Sequence, residues 1–391
     1  MISLQRYRLL LAEEGLAYVF TASLVGRLPI GMSGLAILLL VQGARDSFAL
    51  GGIATGVYVA GLAAMAPVLG RLIDRHGPRW VLLACAALFP ASMAALVAAV
   101  SVAAPSAAIL ACAAAAGMSF PPMTVCMRTF LRQRLRDDTS LHAAYALDSV
   151  LIEVMFIAGP MLVALFVAFA SGAAAVLFAA ACALVGVGLF LPALRAWRIE
   201  PRQHATLLGP LGQASFLGLI AIVLCYCIAF GLTELGAAAF AAELNQPALA
   251  GVFLGVMSAG SALGGLAYGS RGWHAPLLRQ FGTTLAVMGI GLLVLGMVAW
   301  PPLVFGALCF FAGVVMAPAL IIQSMLVAKV ARPEQMTEAF TWSTSALLGG
   351  VGLGMAIGGA LVELWHSPMA FLAGGAAALA AAAGAFWLSR R

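Results

Sequence analysis

Long apolar runs alternate with short polar gaps along the whole chain. The runs cover residues 16–41, 49–70, 80–101, 107–129, 142–167, 172–194, 214–239, 248–269, 276–299, 302–327, 339–363 and 369–388. A helix that crosses about 30 Å of hydrocarbon needs about 20 mostly apolar residues. Its backbone polar groups must then be satisfied inside the segment, because lipid offers no partners. The pattern therefore predicts twelve helical crossings. The gaps carry turn chemistry or charge, as in Arg45-Asp46-Ser47, His76-Gly77-Pro78, Pro105-Ser106, Trp300-Pro301-Pro302 and His366-Ser367-Pro368. An even number of crossings leaves both termini on one side.

The basic residues assign that side. Of the 20 Lys and Arg, eighteen fall at the termini and in the even-numbered gaps, Arg6, Arg71, Arg75, Arg79, Arg132, Arg136, Arg198, Arg271 and Lys329 among them. The odd-numbered gaps hold Arg45 alone, and Arg27 lies inside the first run. Basic loops stay in the cytoplasm. The expectation is a multi-pass protein of the cell (plasma or inner) membrane with both termini cytoplasmic. One missed or extra helix would scramble the separation, so the asymmetry also supports the count.

Composition agrees. Hydrophobic residues make up 64% and charged residues 9%, against roughly 25% charged in soluble domains. The net charge of +6 does not point to nucleic acid, because no basic run is interleaved with aromatics. Seven cysteines lie scattered in apolar runs, with Cys225-Tyr226-Cys227 the one close pair. They read as small packing residues. No metal site and no cofactor are expected, and no cleavable signal is apparent.

The two halves of the chain repeat. Gly52, Gly56, Gly61 and Gly70 recur 199 residues later as Gly251, Gly255, Gly260 and Gly269, and Gly117 and Pro122 recur 196 residues later as Gly313 and Pro318. The predicted fold is all-α and polytopic, in two six-helix bundles, 1–195 and 214–391, joined by a polar cytoplasmic linker over 196–213. Two bundles rocking about a midplane site is a transporter architecture.

The gap after the second run reads Gly70-Arg71-Leu72-Ile73-Asp74-Arg75-His76-Gly77-Pro78-Arg79. It resembles the signature loop of the major facilitator superfamily, with Pro78 in place of a usual basic residue. The resemblance covers the whole chain. It implies that Gly70, Asp74, Arg75, Gly77 and Arg79 form a cytoplasmic latch, with Asp74 docking at the start of helix 11 near Thr337 to Ala339. The fifth run carries Gly159-Pro160, which is similar to a motif of the family's antiporters. The motif's trailing glycines are absent, and so is the family's arginine in mid helix 4: Arg128 stands near that helix's cytoplasmic end.

Charges deep in a bilayer are costly and mark function by default. Arg27, Asp148 and Glu153 lie deep in the first and fifth runs. At about 1.5 Å rise per residue, Arg27 and Glu153 both sit roughly 16 Å in. Depth therefore favours Glu153 as the partner of Arg27, with Asp148 as competitor, since the two acids stand about 140° apart round the helix. An ion pair locking two helices is the structural alternative to a proton-coupling role. Glu234 lies in the outer half of the seventh run, facing a cationic substrate or an external vestibule. Glu243 and Glu363 read as interfacial helix ends.

The expected function is secondary transport, with proton-coupled export of a small molecule by alternating access, that is, efflux by antiport, in a monomer. An importer or uniporter of a metabolite is the alternative within the same fold. A membrane-embedded enzyme would need a nucleophile–base pair or a motif such as His-Glu-x-x-His, and none is present. No enzyme activity is expected.

Overall fold

The computed structural model describes residues 12–13, 15–135, 138–196, 210–270, 273–297, 300–332 and 335–390. Its regular elements are all helical. Eleven stretches are long and apolar enough to cross a bilayer. They are α1 (Leu16–Arg45), α2 (Phe48–His76), α3 (Pro78–Ser101), α4 (Ser106–Arg134), α5 (Asp138–Phe169), α6 (Gly172–Phe190), α7 (Ala214–Glu243), α8 (Leu249–Gly269), α9 (Leu277–Met297), α10 (Pro302–Val330) and α11 (Met336–Leu388).

α11 has 53 residues. A straight helix of that length would run about 80 Å, more than twice the hydrocarbon thickness. It is broken at Trp365 and His366, whose dihedrals are not helical, and His366 has φ 65°. Each limb is long enough to cross, and the break falls in the gap that the hydropathy pattern places between runs eleven and twelve.

Three other helices are interrupted for visible reasons. In α1 the ladder breaks at Leu28 because Pro29 brings no N–H. In α4 the break spans Ser119 to Pro122, where two consecutive prolines remove two donors. In α10 the break falls at Val314 and Val315, where Pro318, four residues on, brings no N–H for the Val314 carbonyl. The breaks of α4 and α10 occupy corresponding positions of the repeat. Paired interruptions of that kind point to a binding region in transporters.

Strong contacts run among α1–α6 and among α7–α11. Between the two groups they run through α2 with α11 and α5 with α8, and thinly through α1 with α7. Lipid supplies no hydrophobic drive between helices, so close backbone approach has to provide the adhesion. Gly52 and Gly56 of α2 lie against the backbone of Met355 and Gly352 in α11, and Gly251 of α8 lies against the carbonyl of Pro160 in α5. These contacts all belong to the face that carries residues 45–47 and 363–368, here called the far face. The opposite, basic face carries the loop 70–79 together with Arg132, Arg134, Lys329 and Arg332. At its end of α2 and α8, nothing lies within 4 Å of where a Cβ on Gly70 or Gly269 would sit. Most of the linker, 197–209, lies outside the described residues, as do Arg6, Arg8, Arg136, Arg271 and Arg391.

Candidate functional site

Three charged side chains meet in the basic-face half of the first six helices. Arg27 of α1 donates from Nη2 to Asp148 Oδ1 of α5 at 2.6 Å, and both side chains are fully buried. Arg128 of α4, 52% exposed, donates from Nε to Asp148 Oδ2 at 3.3 Å. Arg27 also donates from Nε to the Ser23 carbonyl at 3.3 Å. Its Nη1 and the Ser23 hydroxyl are buried without partners among the described residues. One carboxylate thus answers two guanidiniums, and the cluster keeps one net positive charge.

The structure pairs Arg27 with Asp148 rather than with Glu153, the partner that Cα depth favours. An arginine reaches several ångströms along the helix from its own Cα, and its head moves toward polar surroundings. Matching Cα depths therefore chooses an acid too far from the basic face. Glu153 is half-buried and makes no ion pair or hydrogen bond among the described residues. It lies one turn before Ile157, whose carbonyl faces Gly255 of α8. That places Glu153 on the stripe of α5 that meets the α7–α11 group.

Glu234 of α7 lies at the other seam. Its Oε1 would stand 3.1 Å from a Cβ built on Gly34 of α1. Thr55 of α2, which donates to the Gly51 carbonyl at 3.0 Å, completes the wall. Glu234 likewise has no hydrogen bond or ion pair among the described residues. Two carboxylates without counter-charges therefore occupy the boundary between the groups, while Asp148 is neutralised inside one of them.

The second half carries a neutral counterpart of the Arg27 cluster. The Tyr226 hydroxyl of α7 donates to Gln323 Oε1 of α10, and Gln323 Nε2 donates to Ser343 Oγ of α11 at 2.7 Å. All three are buried. Tyr226 stands 199 residues after Arg27, and Gln323 and Ser343 stand 195 after Arg128 and Asp148. The same three-helix tie is thus built once with charge and once without. Sequence reading missed this network: the 199-residue offset leads from Arg27 to Tyr226, but the 196-residue offset leads from Arg128 to Ser324, one position beyond Gln323.

The Gly159-Pro160 pair has a packing role. A Cβ on Gly159 would strike the Gly31 backbone of α1, while the Pro160 carbonyl faces Gly251 of α8. One dipeptide therefore touches its own group and the other.

In the loop 70–79, Gly77 has φ 79° and ψ 160° and ends α2 by donating from its N–H to the Ile73 carbonyl at 2.8 Å. Pro78, the departure from the family pattern, takes the first position of α3, where a missing N–H costs nothing. Asp74 is half-buried, and Arg71, Arg75 and Arg79 are exposed. The expected dock at Thr337 lies outside the described side chains. α11 carries its own acid in its first turn, Glu338.

Glu243 and Glu363, expected to be bland helix ends, are caps. Glu243 accepts from the Ser367 N–H at 2.7 Å and from its hydroxyl at 2.6 Å. Glu363 accepts from the Ala49 N–H at 2.8 Å and the Ser47 hydroxyl at 2.9 Å. On the same face Arg45 donates to the Ala104 carbonyl beyond the end of α3, a favourable place for a cation. Among the described residues, no group of three His, Cys, Asp or Glu is arranged to hold a metal.

Solved structures share this architecture. A nucleoside transporter, NupG, superposes with a TM-score of 0.73 at 15% identity, covering 96% of this chain and 99% of its own. A bacterial homologue of the iron transporter ferroportin, in an inward-facing state, superposes at 0.72 and 14% identity, covering 96% and 100%. A POT family transporter in complex with a thioalcohol-conjugated peptide gives 0.69 and 14%, covering 96% of each. No curated protein matches the sequence. The family model of the Major Facilitator Superfamily matches residues 19–344, from the first turn of α1 into α11, and the chain belongs to that superfamily.

Proposed function

We propose that this chain is a proton-coupled secondary transporter that exports a small molecule by alternating access. In this reading two bundles, 1–195 and 214–391, rock about the seam between them, the protein works as a monomer, and the basic face is cytoplasmic. The observation that carries the coupling is the pair of carboxylates, Glu153 and Glu234, placed on the seams without counter-charges. A proton carrier has to exist both with and without its charge as access alternates. An acid held by two guanidiniums is poorly suited to that, and an acid on a moving boundary is well suited.

Asp148, Arg27 and Arg128 take the complementary part. They tie α1, α4 and α5 into one rigid unit, as Tyr226, Gln323 and Ser343 tie α7, α10 and α11. The surplus positive charge leaves Arg128 able to meet an anionic or polar group entering from the basic face. Arg75 and its neighbours in the loop 70–79 serve as the cytoplasmic latch that the family resemblance implies, with Asp74 as its acid.

The direction is tested in cells that lack their own exporters. Expression that protects growth against a toxic compound is the expected result. Expression that sensitises the cells would make the protein an importer.

A further inference from the structure

We propose that Glu363 is the far-face latch of the transport cycle, a residue of one six-helix group that caps a helix of the other. The inference rests on the alternating-access reading above and adds the residue that holds one of the two states.

The geometry is specific. α2 and the near limb of α11 run antiparallel across the seam between the groups, so the start of α2 lies beside the end of that limb. The first turn of α2 has backbone N–H groups with no partner inside the helix. Ser47 caps one of them, accepting from the Leu50 N–H at 3.1 Å. Glu363 takes the next, accepting from the Ala49 N–H, and its same oxygen also accepts from the Ser47 hydroxyl. A carboxylate at a helix N-terminus is favoured by the helix dipole as well.

Below this cap the seam is shut by backbone-to-backbone contact, with Gly359 against the Phe48 carbonyl and Gly52 against Met355. The far face can open only if α2 and α11 part, and parting them strips Glu363 from Ala49 and Ser47. Every far-face opening therefore breaks this cap, whereas Glu243, which caps Ser367 within the second group, can keep its bonds throughout.

That contrast supplies the test. Spin labels at Gly43 and Gln246, both exposed on the far face and on opposite sides of the seam, report opening in the full-length protein in nanodiscs. No substrate or proton gradient is needed, so the outcome is independent of the coupling mechanism. Glu363→Ala is expected to raise the long-distance population about tenfold, the size of effect a lost N-cap gives. Glu363→Gln keeps an acceptor without charge and is expected to fall between. Glu243→Gln removes charge from an equally well bonded acid on the same face and is expected to leave the distances unchanged. An unchanged distribution in Glu363→Ala would overturn the proposal, and so would equal opening by Glu243→Gln.

Discussion

Replacing Asp148 by Asn is expected to be the most damaging conservative change in the chain. The side chain is fully buried and bonded to a fully buried Arg27 at 2.6 Å. Asn keeps the shape and removes the only counter-charge that Arg27 and Arg128 have in the cluster. Arg27 cannot shed its proton, so a buried cation is stranded beside a second one. Breaking such a pair costs about 3–5 kcal/mol, several times the ~0.6 kcal/mol of an ordinary interhelical hydrogen bond in a membrane. Removing both charges as Arg27→Leu with Asp148→Leu is expected to recover most of the loss, because an apolar replacement of a buried pair is often close to neutral. Arg128→Ala is expected to cost under about 1 kcal/mol, since that side chain is half exposed and the bond is long. Reversible SDS unfolding in mixed micelles measures these three variants and, beside them, the single changes Arg27→Leu and Asp148→Leu. A cost under about 1 kcal/mol for Asp148→Asn would refute the reasoning, as would single losses that simply add in the double variant.

Gly251→Ala is expected to prise α8 from the Pro160 carbonyl and lower thermal stability, while Gly70→Ala, with open space at its Cβ, is expected to be silent; differential scanning fluorimetry compares them. Gly77→Ala places a side chain at φ 79° and is expected to cost about 1–3 kcal/mol, read as a lower melting temperature and weaker expression. Asp74→Asn is expected to slow flux without loss of membrane protein, and unchanged flux would reduce the loop to a turn. For orientation, an impermeant thiol reagent is expected to label Ala170→Cys and not His76→Cys in intact cells, and the reverse would invert the topology.

The crossings were legible because lipid forces each one to be a long apolar run, and the turn residues at 45–47, 76–78 and 366–368 stop helices where expected. Gly77 and the repeated glycines were legible for the same reason, since backbone geometry and close approach leave few choices of residue. The pairing of Arg27 was not, because it depends on how far a side chain reaches and how two helices are set against each other. Glu363 was invisible for a different reason. Its partners, Ser47 and Ala49, lie more than 300 residues away, and no local pattern in either segment records the other. The neutral triad of Tyr226, Gln323 and Ser343 lay between these cases: the 199-residue repeat relates Tyr226 to Arg27, but Gln323 and Ser343 stand one position short of the 196-residue register.

The claim that carries the functional account is that the unpaired seam carboxylates move protons. Proteoliposomes with a pH-sensitive dye inside test it directly, using a substrate identified by the growth screen. Wild-type protein is expected to move protons against the substrate when the substrate is added. Glu234→Gln and Glu153→Gln are expected to still bind the substrate, and at least one of them to lose the proton signal. If both variants keep full substrate-driven proton movement, the carboxylates do not carry protons. If the wild-type protein moves substrate with no proton signal at all, it is a uniporter.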